Sequence, residues 1–405
     1  MRRIQIGWSR ISVAACLAPM AFAMVGCSTD RSVPIGDLVV ERDTIADTIV
    51  VRNISGARWG NDARLVEELR IDGDAASFGQ VSLLDVDLEG RIYLYDGMLR
   101  ALHVYSGDGK FLRQLGRVGD GPGEFRNVLG LAVLADGRVA VRDAARVLVF
   151  TADGDAADAW TVGAGVMLPA PDALVADAKG GVFTVVPGGV GTQGAARVFR
   201  QKYAHIDSYG VLSDEIEQPI EPDLPPPLTP FSVRMLSTLS RDGAVVSAVS
   251  DRYEIQLSVT GIGNRRIVRV GEVPLTLVDG ELKAHRVFME EIASRNPGEP
   301  RVEVPRVKPL LRSLRMTRDG DLWVQRHAPA VVTLGAPRSG RPIEARDDWK
   351  EPEVWDVFDD EGEYMGRLEL PLGARVLAMD NQYAWGTLLD ENDVPSVVRW
   401  RIVPS

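Results

Sequence analysis

A strand cassette recurs along this chain, most plainly in Leu84 to Gly116 and again in Leu131 to Gly163. Each copy runs apolar stretch, Asp-Gly or Glu-Gly turn, apolar stretch, short loop, apolar stretch, second Gly turn, fourth stretch. The first copy places its turns at Leu88-Glu89-Gly90-Arg91 and Gly107-Asp108-Gly109, the second at Ala135-Asp136-Gly137-Arg138 and Ala152-Asp153-Gly154. Four short strands joined by tight hairpins make one antiparallel sheet, and glycine supplies the positive φ that such hairpins demand. A chain built this way has to bury one sheet against the next.

Three further copies follow. The third turns at Lys179-Gly180-Gly181 and Ser208-Tyr209-Gly210, the fourth at Arg241-Asp242-Gly243 and Gly261-Ile262-Gly263, the fifth at Arg318-Asp319-Gly320 and Asp360-Glu361-Gly362. A last copy, Val376 to Met379, Tyr383 to Leu389 and Val397 to Val403, has only three strands, and Arg64 to Ile71 alternates well enough to be the fourth. A final sheet completed by an N-terminal strand closes the series into a ring and removes the free edges that invite aggregation. The fold expected is therefore all-β, a six-bladed propeller closed by an N-terminal strand, with five and seven blades as alternatives.

The segment Met1 to Gly26 has the layout of an export signal. Arg2, Arg3 and Arg10 precede an uncharged apolar run from Ile11, interrupted by Pro19 and too short to span a membrane. Met24-Val25-Gly26-Cys27 has the form of a lipobox, in which Cys27 is acylated and becomes the N-terminus; cleavage after Ala21-Phe22-Ala23, releasing a soluble protein, is the alternative. The expected domains are a signal at 1–26, a tether with N-terminal strands at 27–63, and the propeller at 64–405 with an insertion at 271–308. Attachment to the bacterial envelope through lipid is expected, on the periplasmic or surface side of the outer membrane, with a soluble periplasmic or secreted form as the alternative.

Charge and cysteine narrow the field. The signal holds three arginines and no acid, so its removal takes the formal net charge from −11 to −14, a poor match for nucleic acid or for an anionic membrane surface. The only cysteines are Cys16 and Cys27, so neither disulfides nor thiolate metal sites are expected in the folded part.

The motifs Gly90-Arg91-Ile92-Tyr93-Leu94-Tyr95-Asp96, Arg146-Val147-Leu148-Val149-Phe150, Gly320-Asp321-Leu322-Trp323-Val324 and Gly119-Asp120-Gly121-Pro122-Gly123-Glu124-Phe125 resemble the NHL-like six-bladed propellers of exported bacterial proteins. That resemblance implies the propeller fold and a binding role. The wider six-bladed group includes lactonases and an amidating lyase, so it implies that catalysis is compatible with the fold.

If each blade runs from inner strand a to outer strand d, the tight turns lie on one face of the ring. The long connections, Gly188 to Ala196, Glu221 to Pro230, Gly271 to Lys308 and Ala328 to Pro352, lie on the other. That long-loop face is the expected working face. Within Gly271 to Lys308 a helix is expected, with Leu282, Val287, Phe288 and Ile292 on its apolar side, ended by Asn296-Pro297-Gly298 and packed as a cover over the ring opening.

Candidate chemistry is sparse. The Gly-rich Gly116 to Glu124 lacks the Lys-Ser/Thr of a phosphate loop, and no Gly-x-Ser-x-Gly or His-Glu-x-x-His occurs. His103 and His205 sit in c strands and read as structural. On the long-loop face, His285, Arg286, Arg326 and His327 are candidates to contact an acidic ligand. Asp96 and Asp143 end b strands there; carboxylates converging on the axis could hold Ca²⁺, although turn formation accounts for them as well. No catalytic residue, metal ligand or cofactor is assigned. A monomeric binding scaffold for a protein, peptide or glycan is expected ahead of an enzyme, and a hydrolase or lyase working in the central channel is the alternative.

Overall fold

The computed structural model describes residues 38–404 apart from 61–62, 163–172, 194–195, 222–223, 225–228, 230, 260–262, 296–302 and 335–346. The export segment, Cys27, the tether to Asp37 and the predicted Asn296-Pro297-Gly298 helix stop lie outside the described residues.

The ring has six blades. Blade one is formed by Val81–Val86, Ile92–Asp96, Ala101–Tyr105 and Phe111–Leu115, and blade two by Val128–Val133, Val139–Asp143, Arg146–Phe150 and Ala156–Thr161. Both are simple antiparallel meanders in the predicted register. Their b strands are buried along their whole length, while their outer strands are largely exposed. A strand clasped between neighbouring blades reads as a continuous apolar run for this reason, and the core lies between blades rather than at the axis. Gly90 and Gly137, at the first hairpins, have φ of +81° and +84°, the left-handed region their turns require.

Blade six is Ala374–Met379, Tyr383–Leu389 and Pro395–Val403, and the N-terminal strand Arg64–Ile71 pairs antiparallel with the last of these. Closure therefore occurs as the strand arithmetic requires. A second clasp has no counterpart in the cassette. The hairpin Val39–Ile45 and Thr48–Ser55 adds to the outer edge of blade four, with Thr48–Ser55 running parallel to Gly263–Arg269, so that sheet has six strands. Asn53, buried there, donates to the Gly362 carbonyl and accepts from the Tyr364 amide, which ties the hairpin to blade five.

Two predicted loops contain strands. Gly188 to Ala196 is largely the end of a long hairpin, because the b and c strands of blade three extend over Val182–Gln193 and Ala196–Ile206. The connection after Ala328 carries a small hairpin, Val331–Leu334 with Asp347–Lys350. The insertion 271–308 is pinched at its base, where the Leu277 and Lys308 amides donate to the Arg306 and Leu275 carbonyls, and it holds a helix over Asp279–Arg295. The packed side of that helix differs from the expectation. Leu282 is buried, and with His285 and Met289 it faces Phe231, whereas Val287 and Phe288 are 43% and 46% exposed. His285 takes the i+3 position that an apolar residue would fill, which conceals the stripe from a reading of apolar residues alone.

Candidate functional site

The sequence-predicted residues are largely occupied by the scaffold. Asp96 is fully buried, and its carboxylate accepts the amides of Gly79, Gln80, Met98 and Leu99. Asp143 occupies the same position one blade on, accepting the Arg126 and Asn127 amides and the Arg146 guanidinium. In blade four the Ser250 hydroxyl accepts the Arg234 amide at the equivalent place. A side-chain acceptor at the end of each of these b strands thus pins the incoming inner strand, and the two aspartates have their oxygens committed to that task. Among the described residues, no three His, Cys, Asp or Glu side chains gather as cation ligands, so the aspartates do not converge into a Ca²⁺ site there.

His285 and His327 do come together, both packed against the Phe231 ring at 4.7 and 5.6 Å between centroids. His327 Nδ1 lies 3.0 Å from Glu351, and burial pushes the imidazoles of both histidines below their ordinary range. Beneath them the Lys308 ammonium, 1% exposed, bridges Glu281 at 2.7 Å and Glu351 at 3.1 Å and donates to the Ala328 carbonyl. Burial works against the Glu351 charge, but His327, the Ala328 amide and Arg312 outweigh it and bring its pKa down to about 2. Every charge here has an opposite partner, so the cluster fastens the helix to blades four and five.

Arg326 belongs to a separate network, bonding Glu272 at 2.5 Å and Asp356 at 3.2 Å. Arg286 is exposed on the helix. His103 packs edge-on to Tyr105 and Phe111, and His205 bridges Asp177 and Ser213. In the Gly-rich loop, Glu124 accepts the Gly121 amide and the Arg117 guanidinium, so the loop is closed on its own carboxylate rather than open as a phosphate cradle.

The cavity with chemistry in its wall lies elsewhere. An axial cavity of about 400 Å³ is enclosed by inner strands and runs to the tight-turn face, where Asp87, Gly90, Thr317, Asp319 and Asp380 line it. Its size is in the range that holds a small organic ligand. None of Asp96, Asp143, His285, Arg286, Arg326 or His327 lines it. Five guanidiniums do: Arg241, Arg315, Arg318, Arg375 and Arg399. The carboxyls in the wall are Asp85, Asp87, Asp319 and Asp380. Asp87 is held by Arg91 and Tyr93, and burial pushes Asp85 and Asp380 above the usual carboxyl range despite the amides they accept. The long-loop criterion missed this site. Its signal was charged residues in strands that must be innermost, such as Asp85 in Val81–Val86, Arg315 in Leu311–Met316 and Arg375 in Ala374–Met379.

Comparison with known proteins agrees with the architecture. The model of the family DUF5128, described as a 6-bladed beta-propeller, matches residues 73–157, the stretch that covers blade one and most of blade two. No curated protein matches by sequence. Similar solved structures include a putative exported protein from Bacteroides fragilis, 12% identical, over 87% of this chain and 99% of that one, TM-score 0.47. A member of the duf4221 family from Bacteroides vulgatus is 11% identical over 85% and 99%, with the same TM-score. Virginiamycin B lyase from Staphylococcus aureus, crystallised in an inactive form with quinupristin, is 14% identical over 84% and 99%, TM-score 0.37. The expectation of a binder ahead of an enzyme is corrected by the last of these. A fold does not by itself fix function, so the propeller gives no ground for ranking catalysis second. The chain is a six-bladed β-propeller.

Proposed function

We propose that the protein is an exported propeller that takes up a small polar molecule in its axial channel and is equipped to act on it by proton transfer. The observation supporting this reading is the convergence, on one cavity of about 400 Å³, of carboxyls that burial holds toward the protonated form and guanidiniums that stabilise negative charge. That pairing suits a reaction in which a carboxyl group gives or takes a proton while a developing anion is held in place, as in a lyase or hydrolase. Asp380, at the tight-turn mouth, is the candidate acid or base.

Thermal-shift screening of a small-molecule library against the chain and its Ser82→Phe variant tests the reading. Ser82 lines the cavity and is half-buried, so the added ring occupies channel space. Compounds that raise the melting temperature of the wild type are expected to lose that effect in Ser82→Phe. Equal stabilisation of both forms would place binding elsewhere.

We further propose that the chain is a lipoprotein of the NHL-like kind, anchored through Cys27; this rests on the charged, apolar and Gly-Cys order of its N-terminus. Globomycin, which blocks lipoprotein signal cleavage, is expected to make the precursor accumulate. Normal maturation in its presence would favour cleavage after Ala23.

A further inference from the structure

The arginines of the axial wall are held in an unusual way. Arg241 donates to the Ala176 and Asp177 carbonyls, Arg318 to the Val86 carbonyl, Arg315 to the Val376 and Leu377 carbonyls, and Arg399 to the Gly107 carbonyl. Each stitches its blade to another, and each does so through neutral oxygens. A carbonyl fixes the orientation of a guanidinium without cancelling its charge, and several of its five N–H groups stay unused. The scaffold thus aims positive charge at the cavity, part of which the carboxylates offset at the turn end, where Asp85, Asp177 and Asp319 act on Arg241 and Arg318 acts on Asp85.

The wall's carboxyls stand toward the turn end of the channel: Asp87, Asp319 and Asp380 lie in or beside the a-to-b turns, and Asp85 is held on the Val86 and Val133 amides. Arg315 and Arg375, on inner strands of blades five and six, form a separate pair. Arg375 is exposed within the channel and has no hydrogen-bond or ion-pair partner among the described residues. The nearby carboxylate, Glu353, accepts the Val376 amide at 3.0 Å and the Trp355 indole at 3.1 Å on its Oε2, and its charge acts on Arg375 without an ion-pair contact. Partial burial, and then repulsion from Arg315, lower the proton affinity of Arg375, with the Glu353 charge opposing them.

We infer that the axial channel is an oxyanion site, in which Arg375 and Arg315 hold a carboxylate or phosphate group of the ligand. The inference rests on the channel reading above and names the chemical class of its ligand. Guanidinium recognition of an oxyanion is planar and bidentate, which explains arginine rather than lysine at these positions.

Isothermal titration of the full chain with citrate, with inorganic phosphate and with glycerol as the neutral control tests it. Saturable binding of citrate, of phosphate or of both is expected, and which anion binds identifies the source of the oxyanion. Arg375→Gln should weaken binding about tenfold or more, the loss expected for a charge-assisted hydrogen bond to an ionised ligand, and Arg315→Gln should do likewise. Arg375→Lys should retain part of the affinity, and Arg295→Gln on the exposed helix end should change nothing. Binding should also weaken as salt rises, a readout that holds even where a variant folds poorly. Failure of both anions to bind, binding indifferent to Arg375→Gln and Arg315→Gln, or binding indifferent to salt would each overturn the inference. A neutral compound that stabilises the wild type and not Ser82→Phe would, in the absence of anion binding, leave the channel reading standing while removing the oxyanion assignment.

Discussion

A chain shortened to begin at Asp72 is expected to lose cooperative thermal unfolding, whereas one shortened to begin at Gly56 is expected to melt as a single transition at a lower temperature than the full chain. The two truncations separate the two N-terminal clasps. Removing Arg64–Ile71 leaves blade six with three strands and exposes the edge of Pro395–Val403, which makes up the outer part of that sheet. It also removes Ile71 and uncovers Val397 and Trp385, which share one core cluster with Phe78, Leu84 and Ile92 of the neighbouring blade-one region. Each such side chain contributes about 1.5–3 kcal/mol when fully buried, so the loss is a large part of what a domain of this kind has in reserve. Removing only the hairpin Val39–Ile45 and Thr48–Ser55 opens no seam in the ring; it costs blade four an outer extension and the Asn53 bonds to Gly362 and Tyr364. Circular dichroism against temperature, with dye binding as a measure of exposed apolar surface, distinguishes the cases. A cooperative melt for the chain beginning at Asp72 would show that closure by Arg64–Ile71 is dispensable.

The contrast between these clasps also explains what was legible in the sequence. Arg64–Ile71 could be placed because a cassette with three strands demands a fourth, and the demand is local to a repeat. The hairpin at Val39–Ser55 pairs in parallel with Gly263–Arg269, more than two hundred residues away, and neither strand carries a mark of the other. Tight turns were equally legible, since Asp-Gly at Asp136-Gly137 encodes its own geometry. Loop length was a weaker guide. It directed attention to the long-loop face, where Asp96 and Asp143 prove to be committed to backbone amides, His327 to Glu351, and Arg326 to Glu272 and Asp356. The channel was written in a different code: Asp85, Arg315 and Arg375 interrupt inner strands whose other residues, Arg312 apart, are apolar or small, and a charge at the axis has no core to join. Which strand is innermost follows from the cassette, so the axial charges could be found by reading a-strand positions alone. What could not be read is which arginines carbonyl oxygens would hold, because that depends on contacts between blades.

Asp356→Ala is expected to be among the most damaging single substitutions in the protein, destabilising it by about 3–5 kcal/mol, the range for breaking a buried ionic network by removing one partner. Asp356 is fully buried in the c strand of blade five and accepts from the Tyr253 hydroxyl at 2.8 Å, the Tyr364 hydroxyl at 2.9 Å, Arg367 at 2.8 Å and Arg326 at 3.2 Å. Burial by itself opposes its charge, yet Arg367 and Arg326 hold its carboxyl below the usual range. Without it, Arg326, 8% exposed, keeps only Glu272, and two tyrosine hydroxyls lose their acceptor in the core between blades four and five. Because the folded state binds the Asp356 proton less tightly than the unfolded chain, its contribution is fully present above the unfolded aspartate pKa of about 3.9 and is lost as pH falls through the lower folded value. The wild type should therefore lose stability in acid more steeply than Asp356→Asn, which keeps the shape and some acceptors but titrates nothing. Urea unfolding from neutral to acid pH measures both effects. Equal acid sensitivity in the two proteins would assign the acid response to other groups, of which Glu351, brought down to about 2, is the foremost.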